Sequence, residues 1–241
     1  MINTILFDLD GTLLPMELHE FTKHYFDALS SKCAHMIEPK LLQKAIWAST
    51  EMMVKNLDEN KTNMEVFMED FCGRIDVNIE ALMTSIDEFY RNDFKHLKFA
   101  TKPIKIAEDI VKILKDKGYT LVIATNPLFP REAILHRIQW SGLNIEDFTF
   151  ITDYESSHFC KPNLEFFKEV LFRVGKSPQE CLMVGNDVQE DLVAAQLGIK
   201  TFLIEDYMIN RENKEVNPDF KGSYNDLLTF VKNLPPIKKE S

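Results

Sequence analysis

Asp8 and Asp10 stand two residues apart at the end of an apolar run, Ile2 to Phe7, and open the hexapeptide Asp8-Leu9-Asp10-Gly11-Thr12-Leu13. Alternation with period two turns both carboxylates to the same side of the chain, where a buried strand would end and its loop begin. Like charges held that close repel, so they persist as a pair where a cation, usually a metal, compensates them or where they share a proton. Gly11 permits a tight turn and a close backbone approach, and Thr12 offers a hydroxyl and an amide to an anion. This is a phosphate site in outline, although an acidic glycine turn after a strand also serves as plain loop chemistry. A calcium loop fits poorly. Its closing Glu would fall at position 19, which is His19, and the stretch follows a strand rather than a helix.

Three more strand ends carry reactive types. Leu121 to Ala124 runs into Thr125-Asn126, a hydroxyl and an amide side chain. Lys161 precedes Pro162 at a helix start, where a cation offsets a group of carboxylates or binds an anion. Cys181 to Val184 leads into Gly185-Asn186-Asp187, with Asp191 four residues on and so on the same side of a first helical turn. Two acids there could be capping and dipole complementation alone. Paired acids, threonine, lysine and paired acids at four successive edges make that plain reading much weaker.

The elements that must position these residues fall into two textures. Between Met16 and Ala100 no strand pattern occurs, and amphipathic runs predict helices near 17–36, 40–55, 62–72 and 76–92. In the first, Leu18, Phe21, Tyr25, Phe26 and Leu29 form a stripe for packing in a small bundle. From Pro103 onward helices alternate with short apolar strands: helix to Gly118, strand 119–124, helix 130–139, strand 148–151, helix 162–174, strand 181–184, helix 188–197, strand 200–204 and helix 224–231, then a polar tail. This is the pattern of an α/β, doubly wound, parallel sheet covered on both faces. The first strand belongs to that sheet, so the helical segment is an insertion. The expected division is a core of 1–15 and 101–241 with a helical cap of 16–100, whose ends meet at the carboxyl edge where such sheets bind ligands.

The order of these motifs resembles the haloacid dehalogenase-like hydrolase superfamily, mostly phosphatases with a helical cap inserted after the first motif. The matching residues are Asp8 to Leu13, Thr125, Lys161, and Gly185-Asn186-Asp187 with Asp191. One departure is Asn186, where many members carry aspartate directly after the glycine, so that the acid is shifted to Asp187. The resemblance implies that Asp8 is a nucleophile toward phosphorus and that Asp10 protonates the leaving alcohol and then activates water. It implies Mg2+ held by Asp8, Asp10 through its backbone carbonyl, and Asp187. Thr125, Asn126, Lys161 and the Gly11 loop would bind phosphate, with Asp191 and Asn186 supporting. Met16, His19 and Thr22 are candidates for substrate selection from the cap.

The implied activity is hydrolysis of a small phosphorylated metabolite through an aspartyl-phosphate. A phosphosugar mutase of the same family would keep the same residues, and a non-catalytic phosphoaspartate regulator is a third reading. Dehalogenation fits less well because Asp10 would have no alkoxide to protonate. The formal charge of -10 argues against nucleic acid and anionic membrane partners. Cys33, Cys72, Cys160 and Cys181 show no metal-ligand spacing and are expected reduced, in a cytoplasmic protein. No targeting segment or membrane-spanning run is read, and a monomer or weak homodimer is expected.

Overall fold

The computed structural model describes residues 1–213 and 215–238. The end of the expected polar tail, 239–241, lies outside the described residues. The chain enters through β1 (Thr4–Phe7) and then runs through α1 (Leu18–Cys33), α2 (Pro39–Lys55), α3 (Asn63–Arg74) and α4 (Ile79–Glu88). Local chemistry sets these boundaries. Glu38 accepts the Leu41 N–H ahead of α2, with Pro39 in the first turn, where its missing N–H costs nothing. Thr62 and Glu65 form a capping box at α3, and Asn78 caps α4. The helix expected over 76–92 ends at Glu88. A π-helical turn, Phe89–Asp93, and a 3-10 stretch, Phe94–Ala100, follow and turn Phe89, Tyr90, Phe94 and Leu97 inward.

After α5 (Lys105–Asp116) come β2 (Thr120–Ile123), α6 (Arg131–Trp140), β3 (Phe150–Ile151), α7 (Leu164–Val174), β4 (Cys181–Gly185), β5 (Lys200–Ile204), β6 (Phe220–Gly222) and α8 (Tyr224–Asn233). The six strands form one parallel sheet in the order β3-β2-β1-β4-β5-β6. Central strands are mostly apolar because both faces are buried. Ile5 and Phe7 join one apolar cluster with Leu121, Ile123, Leu182 and Val184, while Leu6, Val122 and Met183 point into the other, against Phe166 and Phe167 of α7. This confirms the doubly wound α/β sheet with an inserted helical bundle. Among the described residues no helix is long and apolar enough to cross a membrane.

Two features differ from expectation. Residues 188–197 do not form a helix; they turn and then make a 3-10 stretch over Leu192–Leu197. The Val188 N–H is drawn away to the Ile209 carbonyl (2.9 Å), and the Asp187 carboxylate caps the N–H groups of Gln189 and Glu190 (3.0 Å each). The edge strand β6 was not anticipated, since three residues of mixed character carry no periodic signal.

The bundle is attached to the core in two places. Where the chain leaves and returns, Lys102 N–H donates to the Pro15 carbonyl (2.7 Å), and Met16 pairs antiparallel with Thr101. At a distance in sequence, the α3 N-terminus meets the loop before Lys161: Asn63 N–H donates to Ser157 O and Met64 N–H to Tyr154 O, both at 2.8 Å. Asn163 returns the contact by donating to the Val54 carbonyl (2.9 Å). Aromatic packing joins the two layers. Phe21 and Phe94 both contact Trp140 of α6, and Tyr25 meets Phe129 edge to face. Such pairs add about 0.5–1.5 kcal/mol each beyond the area they bury.

Candidate active site

Parallel pairing delivers the first acid to the sheet edge. The Asp8 N–H donates to Val184 O (2.9 Å), so the ladder continues one residue past β1 and fixes where that carboxylate emerges. Lys161 reaches it from the loop before α7, with Nζ 3.0 Å from Asp8 Oδ1 and 2.6 Å from Asp191 Oδ1. The Lys161 side chain is 0% exposed. Burial alone would push its ammonium pKa down, but Asp191 and Asp8 outweigh burial and raise it, so it stays charged. Burial pushes the Asp191 carboxyl up against the pull of Lys161. Gly185 makes this approach possible, because a Cβ there would collide with the Asp191 carboxylate.

The structure brings Asp8, Asp10, Thr125, Asn126, Asn186 and Asp187 around one cavity of about 110 Å³. Asn126 ties two loops together: its amide donates to Glu190 Oε2 (3.0 Å) and to the Lys161 carbonyl (3.3 Å), and it accepts the Lys161 N–H (3.1 Å). Asn186 looks inward. It accepts from Thr12 Oγ1 (3.0 Å) and donates to Tyr207 O (2.7 Å), bracing the first loop from behind. Gly11 (φ +83°) sits against it, where a Cβ would collide with the Asn186 amide. The Gly11 and Thr12 N–H groups donate within their own turn, to Leu14 O (2.9 Å) and Leu9 O (3.2 Å), rather than toward the cavity.

A second cavity of about 430 Å³ opens beside the first. Asp10, Gly11, Met16, Leu18 and His19 line one wall, and residues 205–209 line the other. Of the cap candidates, Met16 and His19 therefore face a cavity next to the acid pair, with His19 93% exposed, whereas Thr22 lines neither cavity. Leu18, read as part of the packing stripe, is half-exposed and lines both.

Three residues at this site escaped the sequence reading. Arg137 of α6 is 1% exposed and pairs through Nη1 with Asp10 Oδ2, its guanidinium 4.5 Å from the Phe129 ring centroid. Its signal was a charged residue on the buried face of α6, beside Ala133, Ile134 and Ile138. Glu190 lines the cavity, and burial, reinforced by Asp187, pushes its carboxyl up to about 7. Arg211, from the loop between β5 and β6, contacts Asp187 at 2.7 Å and Glu190 at 3.5 Å.

A divalent cation suits the chemistry of this donor set. Among the described residues Asp8, Asp10, Asp187, Glu190 and Asp191 face Lys161, Arg137 and Arg211, so acids outnumber bases by two. Asp10 Oδ1 is buried without a hydrogen-bond partner. The donors are hard oxygens, as Mg2+ requires. Among the described residues no three His, Cys, Asp or Glu side chains converge as a metal cage. The arrangement implied by the motifs asks for two carboxylates and a backbone carbonyl instead.

Fold and site together define a hydrolase scaffold of the doubly wound α/β type with its paired acids at the carboxyl edge. The chain belongs to the haloacid dehalogenase-like hydrolases, whose sequence pattern matches residues 2–198. A relative from Halalkalibacterium halodurans, called pyrophosphatase PpaX, is 26% identical over 95% of this chain and 97% of its own. A Bacillus cereus protein of the same name is 26% identical over 97% of this chain and 98% of its own. Among solved structures, a HAD phosphatase from Thermococcus onnurineus superposes with a TM-score of 0.58 at 19% identity, covering 98% of this chain and 100% of that one. An L-2-haloacid dehalogenase from Xanthobacter autotrophicus gives 0.61 at 14%, covering 97% and 100%.

Proposed function

We propose that this chain is a Mg2+-dependent phosphatase that passes a phosphoryl group from a small soluble metabolite to Asp8 and then to water. The observation that carries the reading is the buried chain Asp8–Lys161–Asp191 opening on a cavity shared with Asp10, Thr125 and Asp187. Lys161 keeps the Asp8 carboxylate in a cationic environment, which lowers the repulsion an anionic phosphoryl group meets on approach. Thr125, buried in the cavity lining, supplies a hydroxyl to a phosphoryl oxygen. Asn126 acts through Lys161, whose backbone it clamps. Asp10, which borders both cavities, gives a proton to the leaving oxygen and then takes one from water, which requires its carboxylate to exchange Arg137 for the substrate. Asp8, Asp187 and the Asp10 carbonyl would hold the cation, and its charge would offset that of the phosphoryl oxygens. The cap covers the site and supplies selectivity through Met16, Leu18 and His19.

A second reading, attack on a phosphoanhydride, is favoured by the pyrophosphatase relatives that match nearly the whole chain. Here the departing group is phosphate, a weaker base than an alkoxide, so less depends on Asp10 as an acid. Both readings share the covalent step and are tested together. Asp8→Asn should abolish turnover, while Asp10→Asn should accumulate phosphoryl mass on the peptide containing Asp8 when given p-nitrophenyl phosphate. Asp10→Asn should slow alkyl monoesters more than pyrophosphate, whose leaving group needs less protonation, and wild-type kcat/KM on the two substrates decides between the readings. Near-wild-type turnover in Asp8→Asn, or label on another peptide, would refute the assignment.

A further inference from the structure

Among the described residues that line the smaller cavity, Arg211 is the one cationic side chain, alongside the four carboxylates of Asp8, Asp10, Asp187 and Glu190. Lys161 is fully buried, and Arg137 is buried on Asp10, whereas Arg211 is 47% exposed. Its backbone is held in place. Val188 N–H donates to Ile209 O and Ile209 N–H to Asn186 O, both at 2.9 Å, so this strap is stitched to the turn that carries Asp187. Gln189 adds two links, accepting from the Arg211 N–H (3.1 Å) and donating to Asn210 Oδ1 (3.0 Å). A long, half-exposed side chain on a fixed base has a short reach over one target area, and that area contains the acid proposed to hold the cation.

Asp187 Oδ2 lies 2.7 Å from Arg211 Nη1, while Asp187 Oδ1 accepts two backbone N–H groups as well as Arg211 at 2.9 Å. A guanidinium and a divalent ion cannot share one carboxylate oxygen at contact distance without strong repulsion. Resting on the function proposed above, we infer that Arg211 is a specificity-determining residue: it neutralises Asp187 until a divalent cation displaces it, and then binds a second anionic group of the substrate, next to the phosphoryl group being transferred. The substrates so favoured are phosphoanhydrides and phosphoesters with a neighbouring anionic group, because orthophosphate alone would be held by Lys161 and Thr125.

The test compares wild type, R211Q and R211K by isothermal titration, first with Mg2+ alone and then, in saturating Mg2+, with imidodiphosphate and orthophosphate. Arg211 is half-exposed, and unchanged thermal melting checks that each variant folds. R211Q should bind Mg2+ about tenfold more tightly than wild type, the change expected when a charge-assisted contact no longer competes. It should bind imidodiphosphate about tenfold more weakly while orthophosphate changes far less, and R211K should fall between, keeping the charge but not the two-pronged geometry. Equal Mg2+ affinity in wild type and R211Q, or equal losses for the two phosphate probes, overturns the inference and leaves the Asp8 chemistry standing. If no form binds Mg2+, both the inference and the cation site of the proposed function fall, an outcome separate from phosphoryl labelling of Asp8.

Discussion

Arg137→Met separates the charge of a buried guanidinium from the shape of the helix that carries it. Methionine preserves much of the unbranched stem and keeps α6 helical, so the main loss is the partner of the Asp10 carboxylate, together with the Arg137 bond to the Ala133 carbonyl (3.2 Å). Removing one member of a buried ion pair costs about 3–5 kcal/mol, because the other charge is left uncompensated. Protonation sets a ceiling. Taking up a proton at pH 7, starting from an ordinary value of 3.8, spans about three pH units at about 1.4 kcal/mol each, so the loss through Asp10 stops near about 4 kcal/mol. For a chain of this size that corresponds to a fall in Tm of roughly 6–16 °C.

The pH dependence gives the sign. Burial is the leading influence on Asp10 and raises its pKa, and Arg137 is the largest influence lowering it. Without Arg137 the folded-state value rises further above the unfolded one, so stability is retained below about pH 4 and lost as pH increases toward neutrality. Urea denaturation in EDTA, from pH 4 to pH 7.5, should therefore show a gap between wild type and R137M that widens with pH. The double variant D10N/R137M should recover most of the loss, since neither charge of the pair is left without its partner. A loss below about 1 kcal/mol at pH 7, or a gap of the same size at both ends of the range, would show that Arg137 acts by filling space rather than by its charge.

Gly185→Ala places a methyl group against the Asp191 carboxylate, which must move and leave Lys161 without its 2.6 Å partner; destabilisation of about 3–5 kcal/mol is expected in chemical denaturation, and a variant as stable as wild type would disprove the tight fit. Glu180 accepts the Ser177 N–H (2.9 Å), Asn3 Nδ2 (2.9 Å) and Ser177 Oγ (2.8 Å), and these bonds hold its carboxyl down to about 2. Its folded-state pKa lies below the unfolded value, so its contribution is present above about pH 4.5 and lost as pH falls toward 2. Urea midpoints of wild type and Glu180→Gln should differ most near neutrality and converge on acidification; curves that stay parallel down to pH 2 would count against this.

Much of the fold was legible because buried parallel strands and amphipathic helices write different periods into the chain. Ile5, Leu6 and Phe7 read as strand for the reason they fold as one, burial on both faces. What escaped depends on partners distant in sequence. Residues 188–191 turn instead of starting the expected helix, and the segment that pairs with this turn through Ile209 comes from a loop without periodicity. Asn186 looked like a displaced ligand position, yet its direction is set by Thr12 and Tyr207, and no local pattern predicts which way an amide turns. Arg137 was visible as a charge on an apolar face, but its partner lies 127 positions away. Phosphate contacts from the Gly11 turn seemed natural until the turn's own carbonyls were found to use its N–H groups.

The helical bundle stands on two feet, and just one of them is a peptide crossing. The chain passes through the Pro15–Lys102 contact, whereas Asn63 and Met64 hold Ser157 and Tyr154 by hydrogen bonds, with Phe67 packed edge to face on Tyr154. A body fixed at one point swings, but a body resting on two must first lift the weaker foot. That foot is planted in the stretch that continues, within four residues of Ser157, to Lys161. Parting that contact would pull on the loop that presents the ammonium to Asp8. Hydrogen exchange at the Asn63 and Met64 amides would report how often that contact parts.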